Sequence, residues 1–192
     1  MKQGKDRIIT LPNKHLRQKS KKVGIINDDT KQLIDDMITS VIDWDASRDH
    51  EVTVALAAIQ IDVLLNVIIV RDDFEHGSPA EYTALINPVI TKYEGDIELD
   101  YEGCLSIKSV YGLVPRHSKV RIKATSVDGK EIKMKATGFL ARVLQHEVDH
   151  TKGKLFVDHI KGDENSFYEL TSDGKLEKLD YQEKIKDSKI LW

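Results

Sequence analysis

The sequence predicts an α+β fold in which antiparallel sheets pack around a central helix. That helix should begin near Thr137 and end before Gly153, because apolar residues recur there every three or four positions. Its predicted buried stripe consists of Phe139, Leu140, Val143, Leu144 and Val148. Just upstream, residues 119–135 alternate between apolar and polar on both sides of an Asp128-Gly129 turn, which predicts a β-hairpin leading into the helix.

The remaining elements follow from the same periodicities. Helical spacing of apolar residues predicts an amphipathic helix over residues 30–42, followed by a polar loop over 44–51. Strands are expected at 63–70 and 84–90, and a small hairpin is expected around 172–174. The most apolar stretch, 52–70, is long enough to span a membrane, but four polar residues interrupt it, which favours buried strands.

Length and composition narrow the function classes. We expect one domain over residues 1–192, with about 165–192 as its C-terminal extension. The 29 basic and 32 acidic residues give a net charge of -3, which lacks the basic excess typical of nucleic-acid binding. A single cysteine excludes an internal disulfide, and the first residues contain no long apolar segment typical of export. We therefore expect a cytoplasmic protein without a membrane partner.

The C-terminal half of the predicted central helix reads His146-Glu-Val-Asp-His150. Two histidines four residues apart project from one helix face and can bind the same divalent cation. Glu147 lies between them, where its carboxylate can accept a proton from a water molecule. This pattern predicts a metal-dependent hydrolase.

A catalytic metal needs a third protein ligand and an open position for water. Cys104, within Glu102-Gly-Cys-Leu-Ser106, is the preferred candidate, and Glu164 or Glu169 downstream are the alternatives. Phe156 occupies the position at which another zinc peptidase family has its third histidine. The other histidines are expected at the surface and receive no role; they are His15, His50, His76, His117 and His159.

Several charged residues flank these candidate ligands. Glu102 and Arg116 are candidates to pair and to orient the Cys104 loop from a second layer around the metal, and a surface position for Arg116 is the alternative. Asp149 and Gln145 either orient a histidine or face solvent. Arg142 is expected to point outward.

The segments Glu102–Ser106 and Gln145–His150 resemble two motifs of the peptide deformylase family, Glu-Gly-Cys-Leu-Ser and Gln-His-Glu-x-Asp-His. The third family motif, Gly-x-Gly-Leu-Ala-Ala-Pro-Gln, is altered here to Thr53-Val-Ala-Leu-Ala-Ala-Ile-Gln60. The segment Ile107-Lys-Ser109 also departs from the Ile-Pro-Gly that is common after the cysteine motif. The altered positions lie where the resemblance places the substrate, whereas the metal motifs are intact.

The resemblance implies hydrolysis of the N-terminal formyl group of formyl-methionyl polypeptides, with release of formate. Cys104, His146 and His150 would hold one divalent ion, most commonly Fe²⁺ in this family, with Zn²⁺, Ni²⁺ or Co²⁺ as substitutes. Glu147 would act as the base. The remaining implied roles are oxyanion donors at the Gln60 side chain and the Leu105 backbone N–H, and substrate contacts at Ala55, Gly103 and Val143. The implied partners are formyl-methionyl peptides and the ribosome near the nascent chain.

Three other functions are consistent with these residues. The altered first motif would suit a related hydrolase with a different acyl-peptide specificity. A catalytically silent protein that binds formylated N-termini is a second alternative, although it would not need Glu147. A zinc endopeptidase is the third, and it predicts that Cys104 is not a metal ligand.

Overall fold

The computed structural model of the chain describes residues 4–47, 52–72, 81–171 and 173–192. Over these residues it has two α-helices, α1 (Asp28–Asp45) and α2 (Gly138–His150), packed against one antiparallel sheet. The described strands are β1 (Ala55–Ala57), β2 (Val67–Arg71), β3 (Tyr82–Cys104), β4 (Ile107–Thr125), β5 (Glu131–Thr137), β6 (Phe167–Leu170) and β7 (Leu176–Lys178). The predicted α+β class is confirmed.

A long hairpin of β3 and β4 forms the centre of the sheet. The strand order is β1-β2-β3-β4-β6-β7, and β5 pairs with β4. The hairpin pairs from Ile86 opposite Thr125 to Cys104 opposite Ile107, with several register shifts along the way. Such bulges bend a strand and re-aim its side chains. The last shift lies between Glu102 and Cys104, immediately before the turn, and so affects the direction of the Cys104 side chain.

The apolar stretch over 52–70 folds as strands rather than as a membrane helix. It contains β1, a short helical turn over Ala58–Ile61 and the start of β2. The predicted strand over 63–70 was placed too early, because Asp62 adopts a left-handed backbone (φ 67°) and the chain turns before Val67. Among the described helices, none has the length and apolarity to cross a membrane.

Helix α1 confirms the predicted amphipathic helix and extends it at both ends. The Asn27 side chain accepts a hydrogen bond from the backbone N–H of Thr30, which is a helix N-cap. The helix therefore starts at Asp28 rather than at Thr30, and it continues through Asp45. The predicted loop over 44–51 consequently begins later than expected, and its residues 48–51 lie outside the described residues.

The predicted hairpin before the central helix is confirmed. Strands β4 and β5 pair from Lys119 opposite Thr137 to Thr125 opposite Glu131, and Gly129 takes a left-handed conformation in the turn (φ 78°). Helix α2 follows directly, and its inner face packs on the sheet. The prediction for Phe139 was wrong, because this side chain is 51% exposed at the first turn of α2.

The C-terminal residues pack against strand β4 and against the chain that follows α2. Strands β6 and β7 pair from Tyr168 opposite Lys178 to Leu170 opposite Leu176, as predicted, although Ser172 itself lies outside the described residues. One buried apolar cluster joins this region to the β3–β4 turn and to the chain after α2. It contains Ile107, Val114, Leu155, Phe156, Val157, Ile160, Phe167, Leu179, Ile185 and Leu191.

Candidate metal centre and active-site cleft

Three side chains predicted to bind metal converge on one point. Cys104 is the last residue of β3, and His146 and His150 lie one turn apart on α2. The Sγ atom of Cys104 lies 3.3 Å from Nε2 of His150, which lies 3.2 Å from Nε2 of His146. All three donor atoms lie within 4.8 Å of one another. A thiolate and two imidazoles are a donor set that suits a transition metal.

The orientation of His146 fits this role. Its Nδ1 lies 2.9 Å from Glu102 Oε2, and because a carboxylate only accepts, Nδ1 carries the proton. The unprotonated Nε2 then faces the other two donors, as in metal sites where a carboxylate fixes the tautomer of a histidine ligand. The residues present therefore fit a bound divalent cation.

The surroundings of the two histidines affect their protonation in opposite directions. Burial lowers the pKa of both imidazoles, but the contacts of His146 with Cys104 and Glu102 outweigh burial and raise its pKa well above the usual value. For His150, burial and the positive charge of His146 together hold the pKa well below the usual value. One positive charge is therefore stabilised within the cluster, and a second is disfavoured.

A buried ionic network contacts the candidate ligand His146 through Glu102. Arg116 donates to both oxygens of Glu102, at 2.9 and 3.0 Å, and to Asp149 Oδ2 at 2.5 Å. Burial raises the pKa of Glu102, but hydrogen bonds from His146 and Arg116 outweigh it and hold that pKa below its usual range. The predicted pairing of Glu102 with Arg116 is present, and it orients His146 through Glu102.

Asp149 extends this network, so it neither contacts a histidine ligand nor simply faces solvent. His159 Nε2 lies 2.7 Å from Asp149 Oδ2. Burial raises the pKa of Asp149, but hydrogen bonds from His159 and Arg116 and the charge of Arg116 lower it to about 2. His159 lies at the surface and outside the ligand cluster, as expected, and its ring also pairs with Asp149.

Arg142 was expected to point outward, and the structure places it inside. Its side chain is buried and donates to Glu102 Oε1 at 2.8 Å and to the backbone carbonyls of Val114 and Glu98 at 2.8 and 2.7 Å. These bonds satisfy a guanidinium that would otherwise be costly to bury. Helix α2 is thereby tied to both strands of the central hairpin.

Glu147 lines the same cleft as the candidate ligands Cys104 and His146. It is 5% exposed, and its Oε2 atom makes no hydrogen bond to any described residue. Burial is the main cause that raises the pKa of Glu147 to about 7, with a smaller contribution from Glu102 and opposition from His146 and Arg116. A carboxyl group with a pKa near 7 can both accept and donate a proton at neutral pH.

The other residues predicted for the site also border this cleft, whose volume is about 490 Å³. Gln60 is 2% exposed, and its Nε2 lies 3.5 Å from Cys104 Sγ and 3.2 Å from Ser106 Oγ. The side-chain oxygen Oε1 of Gln60 accepts a hydrogen bond from the backbone N–H of Ala57, which fixes the direction of the side-chain amide. The further predicted residues that line the cleft are Ala55, Gly103, Leu105 and Val143.

Backbone geometry accounts for the glycine at position 103 and shows no strain at Ala55. A Cβ atom at Gly103 would come within 2.6 Å of the Tyr111 ring, so glycine is needed there for close packing. Ala55 has no left-handed backbone conformation, so the alanine in the altered first motif causes no strain. The Ala55 methyl group instead affects the space that is available in the cleft.

The alternative third ligands lie elsewhere. Glu164 accepts from Gln182 at 2.6 Å, and Glu169 lies 3.4 Å from Lys184. Neither belongs to the ligand cluster found among the described residues. Gln145 bridges the backbone N–H and carbonyl of His117, so it joins α2 to β4 and contacts no candidate ligand.

The remaining histidines do not join the centre. His15 pairs at the surface with Asp62 at 2.5 Å, while His50 and His76 lie outside the described residues. Six further residues line the cleft that the sequence did not indicate as cleft residues, because their positions depend on how distant segments pack together. They are Trp44, Tyr101, Lys108, Tyr111, Phe139 and Leu170.

Comparison with known proteins agrees with this geometry. The sequence model of the polypeptide deformylase family matches residues 5–166. A peptide deformylase of Thermomicrobium roseum is 43% identical over 157 residues, which are 80% of this chain and 85% of the relative. Peptide deformylase 1 of Pseudomonas syringae pv. tomato is 34% identical over 178 residues, covering 93% and 96% of the two chains.

A solved structure supports the same assignment. The crystal structure of a peptide deformylase from Synechococcus elongatus, in complex with actinonin, superposes with a TM-score of 0.72 at 34% identity. The match covers 81% of this chain and 80% of the other. On its sequence, its fold and its cluster of one cysteine and two histidines, the chain belongs to the polypeptide deformylase family.

Proposed function

We propose that this chain, as a peptide deformylase, hydrolyses the formyl group of N-formylmethionyl polypeptides with Cys104, His146 and His150 as its metal ligands. The observation that supports this most strongly is the convergence of one sulfur and two imidazole nitrogens within 4.8 Å, in the same cleft as the buried carboxyl of Glu147. A divalent cation held by these donors supplies Lewis-acid activation of a water molecule and of the formyl carbonyl.

The protein's own groups account for the proton transfers. Glu147 accepts a proton from the attacking water, and its pKa of about 7 suits both this step and the return of the proton to the leaving amine. Oxygen adds to the formyl carbon, the carbon–nitrogen bond then breaks, and the products are formate and a free N-terminal amine. Water is the only co-reactant.

The negative charge that develops on the formyl oxygen needs donors that are already in place. Gln60 is suited to this role because its carbonyl is held by the Ala57 N–H, which leaves the amide N–H₂ directed toward Cys104. The Leu105 backbone N–H is the second proposed donor. Loss of one such donor typically costs about 3 kcal/mol of transition-state stabilisation.

The methionine side chain of the substrate is proposed to occupy the part of the cleft lined by Ala55, Gly103 and Val143. Apolar and small residues with a few polar groups at one end are the usual lining of a ligand cleft. Arg142 and Glu102 border the same space, but they are paired with each other and therefore add little net charge.

For the metal we propose Fe²⁺ in the cell, with Zn²⁺, Ni²⁺ or Co²⁺ able to replace it. A thiolate ligand donates charge to a ferrous ion and makes it sensitive to oxidation, so the preparation should be anaerobic. We further propose a cytoplasmic location, with newly made polypeptides near the ribosome as the substrate. The whole chain is proposed to be one catalytic domain, because residues after 165 join the buried cluster that contains Phe156.

A formate-release assay combined with metal analysis tests the function. Anaerobically purified protein should contain about one transition-metal ion per chain and should release formate from formyl-Met peptides. Acetyl-Met peptides of the same sequence should not be hydrolysed, which separates this activity from that of a broader acylase. A peptide without a formyl group should stay intact, which separates it from that of an endopeptidase. Metal-loaded protein that releases no formate would contradict the proposal.

A further inference from the structure

The cleft carries one solvent-exposed charge among its described lining residues, which is the ammonium group of Lys108. The other charged residues that line it are buried: Glu102 and Arg142 contact each other at 2.8 Å, and Glu147 is 5% exposed. Nδ1 of His146 lies 2.9 Å from Oε2 of Glu102. Among the described lining residues, Lys108 is therefore the charge that a molecule entering from solvent meets.

The position of Lys108 is fixed by the tip of the central hairpin. Cys104 pairs with Ile107 across a turn of two residues, and Lys108 is the next residue of β4. Ile107 is 5% exposed and anchors this strand end in the apolar cluster. Ser109 has a left-handed backbone (φ 60°), which is unusual for a residue with a side chain and marks a local bend at the rim. The lysine thus lies four residues from the candidate sulfur ligand.

The Lys108 charge is available to a bound molecule. It forms no ion pair with any residue in the described part of the chain. Two exposed acidic side chains of β3, Glu98 and Asp100, line a second and smaller depression and not this cleft. No described acidic group within the cleft therefore neutralises the lysine.

The cleft is also larger than one residue requires. Its volume of about 490 Å³ lies within the range of clefts that hold whole small molecules. A formyl-methionyl group at the metal end leaves space toward the rim, and the residues that follow methionine in a peptide have to leave the cleft through that rim. Lys108 is therefore placed to meet the downstream part of the substrate.

From these observations, and resting on the proposed deformylase function, we propose that Lys108 is a specificity-determining residue. It favours formyl-methionyl chains that carry an acidic side chain within the next three residues. An exposed ion pair contributes little energy, so the preference is modest and depends on salt. Because the lysine would contact a side chain downstream of the methionine and not the reacting bond, it stabilises the bound substrate and the transition state equally, and its effect lies in KM rather than in kcat.

The test uses metal-loaded protein and formyl-Met tetrapeptide amides with Asp at the second, third or fourth position, each paired with its Asn counterpart. We expect kcat/KM to be about two- to fivefold higher for Asp than for Asn in at least one position. The difference should lie in KM and should shrink when the salt concentration is raised from about 0.05 to about 0.5 M. In Lys108→Gln the ratio should return to about one, and in Lys108→Glu it should fall below one.

Lys119→Gln is the matched control, because Lys119 is an exposed lysine of the same strand that does not line the cleft. It should keep the wild-type ratio. An Asp/Asn ratio near one at all three positions in the wild-type protein overturns the inference, as does a ratio that survives in Lys108→Gln. Failure of the proposed function is distinguishable, because then no peptide releases formate at any salt concentration.

Discussion

Replacement of Glu102 by glutamine changes one atom in the network that holds His146. The Glu102 carboxylate accepts four hydrogen bonds: two from Arg116, one from Arg142 and one from His146, at 2.8 to 3.0 Å. Two of them end on each oxygen. Glutamine keeps one acceptor oxygen and directs an amide N–H₂ toward two of the four donors, so two bonds are lost whichever way the amide is turned.

The structure allows the cost to be worked out. A hydrogen bond to a charged group contributes about 1.5 to 3 kcal/mol, so two lost bonds cost about 3 to 6 kcal/mol. Breaking a buried ion pair typically costs about 3 to 5 kcal/mol. Arg116 keeps its bond to Asp149, so it is not left without a counter-charge. We therefore expect the free energy of unfolding of the metal-free protein to fall by about 3 kcal/mol.

The same substitution should weaken metal binding. If the amide nitrogen faces His146, the tautomer that leaves Nε2 free is no longer fixed, and such changes usually reduce metal affinity by about 10- to 100-fold. Urea unfolding of the metal-free protein measures the first effect, and competition with a chelator measures the second. Both are needed, because bound metal itself stabilises the folded state.

Glu94→Gln is the matched control on the same strand. Glu94 also accepts two bonds from one arginine, Arg121, at 2.6 and 2.9 Å, but this pair faces solvent. We expect little change in stability and none in metal affinity. A Glu102→Gln protein that loses less than about 1 kcal/mol and binds metal as tightly as the wild type would refute the supporting role of Glu102.

The remaining predictions concern the metal and the chemistry. Cys104→Ser should lose most of its metal, as measured by elemental analysis, and a full metal complement would instead favour an endopeptidase-like site. Glu147→Ala should keep its metal but lose at least about 100-fold in kcat, the usual scale of general acid–base catalysis; turnover at the wild-type rate would exclude Glu147 as the base. Ala55→Gly should raise kcat/KM on formyl-Met peptides if the methyl group crowds the substrate, and an unchanged value would show that the altered first motif is tolerated.

Part of the candidate metal centre could be predicted from the sequence because its geometry is local. His146 and His150 are one helical turn apart, and any helix at this position brings them together. Cys104 required a contact over more than forty residues; it was the preferred third ligand on the sequence alone, and the resemblance of its flanking motif supported that choice. The hairpin before α2 was also local, since the Asp128-Gly129 turn fixes its register.

Features that depend on tertiary contacts could not be predicted from the sequence. A charged residue on an amphipathic helix usually faces solvent, so Arg142 was expected outside; the structure buries it because Glu102 and two backbone carbonyls bind it. Phe139 was expected in the core, but it borders the cleft at the first turn of α2. The length of β3 was missed because its outer half has exposed apolar residues, such as Ile97, that interrupt a simple pattern.

The ligand set is tested most directly by X-ray absorption spectroscopy of the zinc-loaded protein. Coordination by Cys104, His146 and His150 predicts one sulfur at about 2.3 Å, two imidazole nitrogens at about 2.0 to 2.1 Å and one light atom from solvent. A spectrum with no sulfur neighbour, or with fewer than two imidazoles, would contradict the proposed centre.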